Sequence, residues 1–162
     1  VTMILGVDPG AHGALAVMTD EGHLIAAFDM PSIEVKVGKT KRTRIATADL
    51  VAQLRTYSID QAYVERVGAM PGQGSASMFS FGQAAGLIEG VLVALGIPVT
   101  FITPVSWKRA MQVPSDKGAC RQRAMQLFPQ SSDLFKRVKD DGRAEAAILA
   151  LYGLRHSGKI AA

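Results

Sequence analysis

An α/β domain is the fold this chain predicts, and three features point to it. Short apolar runs of strand length alternate with longer segments of helical period. Their order is three strands, a helix, a strand, a helix, a strand and then helices, which is an α/β order. With 162 residues, 48% of them hydrophobic, the chain can fill a real core. It shows no repeat, low-complexity tract or convincing boundary, so one domain over residues 1–162 is expected.

Residues 2–7 are nearly all apolar and too few for a helix, which suits a central strand. Asp8-Pro9-Gly10 to Gly13 is turn chemistry. Residues 14–18 and 24–29 read as two more strands, joined through Asp20-Glu21-Gly22. The three strands make an antiparallel meander. Residues 31–45 are expected to be a polar, basic loop. Thr47 can cap a helix that carries Leu50, Val51 and Leu54 on one face. Residues 61–65 give the fourth strand, and residues 68–74 a flexible loop.

The spacing then predicts a long helix over 75–95, with Gly82, Gly86 and Gly90 in one row. Each glycine costs about 1 kcal/mol relative to alanine in a helix interior. The row therefore implies close approach of another backbone, from the sheet or from a second subunit. A fifth strand at 98–102 precedes short helices at 106–111 and 116–128. A final helix at 143–156 places Ala144, Ala147, Ile148 and Leu151 on its buried face.

Eighteen Lys and Arg against fourteen Asp and Glu leave a net charge of +4. The cations are clustered. Lys36, Lys39, Lys41, Arg42 and Arg44 lie together with only Glu34 opposing, and Lys108, Arg109, Lys117, Arg121 and Arg123 form a second stretch. Basic runs are usually solvated faces. Beside a candidate metal site, two of them favour a phosphate backbone as partner. Cys120 is the single cysteine, which excludes an intrachain disulfide and a cysteine zinc site and points to a reducing compartment. No uncharged apolar stretch approaches ~20 residues and no signal-type segment opens the chain, so no membrane association is expected.

The chemistry lies in the carboxylates. Asp8 and Glu65 each follow an apolar strand, where the rim of an open α/β sheet binds ligands. Asp140, Asp141 and Glu145 open the last helix. Singly, each has an ordinary structural role: Asp8 as a turn former, Glu65 as a solvated strand end, Asp141 at a helix N-terminus. Jointly, converging acids hold hard divalent cations through oxygen. Asp141 and Glu145, four apart, share a helical face, whereas Asp140 does not.

The order of elements and these acids resemble the RNase H-like nuclease superfamily, and within it the RuvC-type Holliday-junction resolvases, especially phage-like members. The residues that carry the resemblance are Gly6-Val7-Asp8-Pro9-Gly10, Val64-Glu65, Phe81-Gly82-Gln83-Ala84-Ala85-Gly86, Pro104-Val105-Ser106-Trp107-Lys108 and Arg143-Ala144-Glu145-Ala146. The motifs are short, but their order and spacing span nearly the whole chain.

The resemblance implies an RNase H-like fold with a five-stranded mixed sheet flanked by helices. It implies two divalent ions, Mg²⁺ or Mn²⁺, held by Asp8, Glu65, Asp141 and Glu145, with Asp8 bridging. Many members carry the two helix acids three residues apart, which falls on Gly142 here, so Asp141 is the substitute. Two such ions activate water and stabilise the leaving alkoxide of a phosphodiester without a general base. The implied activity is metal-dependent cleavage of branched DNA, a four-way junction above all, by a homodimer whose two-fold axis matches the junction. A cytoplasmic setting in a bacterial or phage-infected cell follows from the same likeness.

For DNA contact the resemblance points to Lys108 and Lys117 near the scissile phosphate, and to Met70 as an apolar side chain for the branch point. Lys39, Lys41 and Arg42 belong to the basic segment expected to hold the arms. Phe79 and Phe81 read as core, Trp107 as the anchor of its short helix, and His12 as an ordinary turn residue. Two rivals remain. An actin-like or sugar-kinase-like ATPase would use Gly6-Val7-Asp8-Pro9-Gly10 as its phosphate loop, but needs a second comparable domain. A non-catalytic DNA-binding protein of the same fold would have no need to keep all the acids.

Overall fold

The computed structural model describes residues 1–116 and 118–158. Strands β1 (Met3–Asp8), β2 (Ala14–Thr19) and β3 (Leu24–Asp29) open it as an antiparallel meander. Next come β4 (Ser32–Val37), β5 (Thr40–Ile45), helix α1 (Thr47–Leu54) and β6 (Ile59–Glu65). Helix α2 (Ser75–Ala94), strand β7 (Val99–Ile102) and helices α3 (Pro104–Ala110) and α4 (Ala119–Leu127) follow. Two 3₁₀ turns, Pro129–Phe135 and Val138–Asp140, lead into α5 (Asp141–His156). The main sheet has the order β3-β2-β1-β6-β7, with β6 parallel to β1 and β7 parallel to β6. It is the five-stranded mixed sheet that the resemblance implies.

Strand β1 is central and covered on both faces, which is why it reads as a continuous apolar run. Side chains alternate across a strand. Ile4 packs with Ala146, Ala147, Ile148, Trp107 and Phe135 on one side. Leu5 and Val7 pack with Leu50 and Leu54 of α1 and Ala84, Ile88 and Leu92 of α2 on the other. Gly6 lets α5 lie directly on the sheet. A Cβ there would overlap the Ala146 carbonyl oxygen and come within 2.8 Å of Ala150 Cβ.

Several expectations need correction. Residues 32–45 are not a loop but an antiparallel β4–β5 hairpin, turning at Gly38 (φ +61°) and Lys39. Alternating Ile33, Val35 and Val37 support the strands; their charged partners obscure the pattern. Thr47 does not cap α1: Ala46 occupies the cap position without a side-chain bond. The Gly82, Gly86 and Gly90 row meets nothing within 4 Å, because α2 sits on the sheet through Ala84, Ile88 and Leu92 instead. Helix α2 is long and apolar enough to cross a membrane by length and composition, with mean hydropathy 1.3, even though a charge interrupts its apolar run. That charge, Glu89, and its packed row make it a surface helix of this domain.

Gly6→Ala should cost about 3 kcal/mol or more, since the clash is with backbone that cannot move independently. Urea unfolding monitored by circular dichroism measures it. A loss below about 1 kcal/mol would mean that α5 is free to lift off β1.

Candidate metal centre and nucleic-acid interface

Asp8 and Glu65 are the last residues of neighbouring parallel strands, with Val7 opposite Val64 in register. Their carboxylates therefore leave the sheet at the same edge. Glu145 reaches them from the second turn of α5, where close packing on Gly6 holds the helix across β1. Oxygen atoms of Asp8, Glu65 and Glu145 all lie within 4.8 Å of one another.

That cluster is electrostatically uncomfortable. Burial raises the Asp8 carboxyl well above its usual range, and the charges of Glu145 and Glu65 raise it further, against a partial offset from Lys108. Burial also pushes Glu145 up to about 7, helped by Glu65 and Asp141 and opposed by Lys108. Lys108 Nζ lies 3.9 Å from Glu145, so this one ammonium faces three acids. Three converging carboxylates short of positive charge, with oxygen as the only donor, fit a hard divalent cation.

Asp141 is adjacent to the trio rather than part of it. It lies 3.2 Å from Arg121 Nε, and among the described residues neither that nitrogen nor Asp141 Oδ1 has a hydrogen-bond partner, although both are buried. Asp141 and Glu145 line one cleft with Lys108 and Cys120. Gly142, where the related spacing would put an acid, faces Asp8: a Cβ there would sit 3.1 Å from Asp8 Oδ2. Asp140 is structural. It is fully buried, and although burial opposes its charge, hydrogen bonds from the Arg137 guanidinium and backbone outweigh that and lower its pKa.

Lys108 stands beside the acid cluster, and its Nζ also lies 5.4 Å from the Trp107 ring. Lys117 lies outside the described residues. Met70 is 68% exposed on the loop after β6. Phe79 and Phe81 are not core: they are 69% and 37% exposed, because the first turns of α2 overhang the sheet. Lys39 and Lys41 project from the hairpin and Arg42 is half-buried on it. Lys41, Arg42, His12, Ser77 and Phe81 line an open groove between hairpin and α2. Sequence reading gives no sign of the hydrogen bond that holds Glu65. Trp107 Nε1 donates to Glu65 Oε2 at 2.7 Å, across 42 positions of chain with no local signal.

A mixed five-stranded sheet with carboxylates gathered at the ends of its central strands is an RNase H-like arrangement whose acids could hold a divalent cation, and the matching family is one of nucleases. The chain belongs to the RuvC family: the family model for crossover junction endodeoxyribonuclease RuvC matches residues 4–151. It is accordingly a junction-cleaving endodeoxyribonuclease. Similar solved structures include Thermus thermophilus RuvC in complex with a Holliday junction substrate, at 14% identity and TM-score 0.60, covering 96% of each chain. The fowlpox virus Holliday junction resolvase is similar at 18% identity and TM-score 0.58, over 95% of this chain and 99% of that one. No curated protein sequence matches the chain.

Glu145 holds its proton more tightly in the folded protein, with a value of about 7 against an ordinary 4.5. The folded state thus binds more protons than the unfolded state between those values, and stability falls as pH rises through that window. Without metal, Tm should drop from about pH 4.5 to 7, and Mg²⁺ should restore it. Glu145→Gln should flatten the drop. A metal-free Tm that rises across the window would contradict the clustered-acid geometry.

Proposed function

We propose that Asp8, Glu65, Asp141 and Glu145 bind two divalent ions, Mg²⁺ or Mn²⁺, and that the protein uses them to cut four-way DNA junctions as a homodimer. The observation that carries this reading is the convergence of Asp8, Glu65 and Glu145 from three elements onto one sheet edge. Bound there, the ions would supply an activated water and stabilise the leaving oxygen of the phosphodiester. Asp8 would be a ligand common to both ions, Glu65 would serve one of them, and Glu145 and Asp141 would serve the other. Lys108, beside Glu145, offers its ammonium to the incoming phosphate and partly offsets the acids' repulsion toward it.

Asp141 completes the set by turning from Arg121 toward the cleft that it already lines with Glu145. Its buried, unbonded oxygen supports that role. Met70, exposed on its glycine-flanked loop, is suited to wedge at the branch point. The homodimer is supported by α2. With its Gly82, Gly86 and Gly90 row open and Phe79 and Val93 exposed, its outer face is apolar and unpartnered in one chain. A second subunit is then the better of the two explanations for the glycines. An ATPase reading is not favoured, since the chain belongs to a nuclease family.

Asp8→Asn should abolish cutting of a four-way junction in Mg²⁺ while leaving junction binding in Ca²⁺ intact or tighter. Neutralising Asp8 removes a ligand and a negative charge facing phosphate. Nicking by this variant at near wild-type rate would show that the metal site lies elsewhere.

The hairpin cations should govern affinity and not chemistry. They lie on a two-stranded ribbon of mostly exposed residues, and Lys41 has only a weak ion pair at 3.7 Å with exposed Glu34. Replacing Lys39, Lys41 and Arg42 with alanine should weaken junction binding and flatten the log affinity against log salt slope by roughly 0.9 for each phosphate no longer neutralised. Saturated single-turnover cleavage should change little. An unchanged slope would mean that the hairpin faces solvent in the complex.

A further inference from the structure

Helix α3 presents two adjacent side chains to two different acids. Lys108 faces Glu145 at 3.9 Å, and Trp107 donates its indole N–H to Glu65 Oε2 at 2.7 Å. Among the described residues no other side-chain or backbone donor bonds the Glu65 carboxylate. The indole is fully buried, packed in the same cluster as Ile102, Met111 and Ala144. Its helix is fixed at its start by Pro104 and by the Thr103 side chain, which accepts from the Ser106 backbone N–H. The donor cannot swing away without opening the core. An indole N–H only donates, so it can hold a carboxylate oxygen but cannot compete with it for a cation.

A carboxylate at a strand end would otherwise be free to rotate and to turn from its two acidic neighbours. We propose that Trp107 is a positioning residue of the metal centre: by pinning Oε2 of Glu65 it fixes the orientation of that carboxylate beside Asp8 and Glu145. This rests on the metal-centre reading above. The structural alternative is that Trp107 only fills the core, its N–H taking the nearest acceptor. The two differ in what happens when the volume is kept and the N–H is removed. They also differ in whether the indole senses the ion.

The test uses the full chain without DNA and Mg²⁺ alone. Isothermal calorimetry compares wild type with Trp107→Phe, and circular dichroism with thermal melting checks that both are folded. Removing an outer partner of a metal ligand typically costs 10–100-fold in affinity, so Trp107→Phe should bind Mg²⁺ about 10–100-fold more weakly. The chain has one tryptophan, so ¹⁵N-labelled protein gives a single indole N–H resonance. That resonance should exchange slowly with water and shift on Mg²⁺ binding. Wild-type affinity in a folded Trp107→Phe variant would overturn the proposal. So would an indole resonance that stays still while calorimetry shows Mg²⁺ bound to wild type. If Trp107→Phe does not fold, the resonance of the unaltered protein decides alone. A wild type that binds no Mg²⁺ would sink the metal-centre reading itself, and this proposal with it.

Discussion

Backbone-to-backbone contact of α5 with β1 at Gly6 is the constraint on which this site depends. It sets how deeply the helix lies on the sheet and so where Glu145 falls relative to Asp8. The start of the helix is then braced from two sides. Arg143 Nε reaches Asp29 at the end of β3 at 2.9 Å, and buried Asp140 is gripped by Arg137. These ties hold α5 against a repulsion that its own Glu145 creates. Three acids pressed together oppose folding unless a cation joins them. The two-sided core around β1 supplies the stability that tolerates it.

Much of this is legible in the chain. Asp8 and Glu65 stand out because a carboxylate after a short apolar run marks a strand end, and parallel neighbours bring such ends to one edge. Glu145 needs the resemblance, because an acid near a helix start has an ordinary local explanation. What stays hidden is long-range or lacks a facial pattern. The β4–β5 hairpin carries alternation in Ile33, Val35 and Val37 and a turn glycine at Gly38, but its strands are mostly exposed and the charges dominate the reading. Phe79 and Phe81 pass for core because α2 is apolar nearly all round, so its buried row cannot be told from its open one. The Trp107–Glu65 and Arg121–Asp141 pairs join residues far apart in sequence, and no spacing announces them.

Charge is divided to match two different jobs. The hairpin cations are mostly exposed and weakly paired, which keeps them available to a polyanion and sensitive to salt. The acids are half-buried, crowded and opposed at close range by Lys108. Phosphate would be drawn by the first set and repelled by the second until positive charge fills the gap between acids. A basic exterior with an under-compensated acidic centre would therefore couple DNA binding at the active edge to metal loading.

The departure at Gly142 fits the same logic. A side chain there would press on Asp8 Oδ2, on Ala14 Cβ at 3.4 Å and on the Gly13 backbone at 3.5 Å. Glycine keeps the Asp8 carboxylate unhindered, but it removes an acid from that position. One residue earlier, Asp141 sits on the Glu145 face of α5, held near an Arg121 whose guanidinium is tied to the carbonyls of Phe135 and Lys136 at 3.4 and 3.0 Å. Because Arg121 is fixed by backbone and its Nε is not aligned to bond Asp141, the pair is a proximity and not a lock. A carboxylate held near its ion site by charge, with an oxygen still unbonded, is poised to move when a stronger positive charge arrives. On the four-ligand reading proposed above, that is how a chain lacking an acid at Gly142 would still present four.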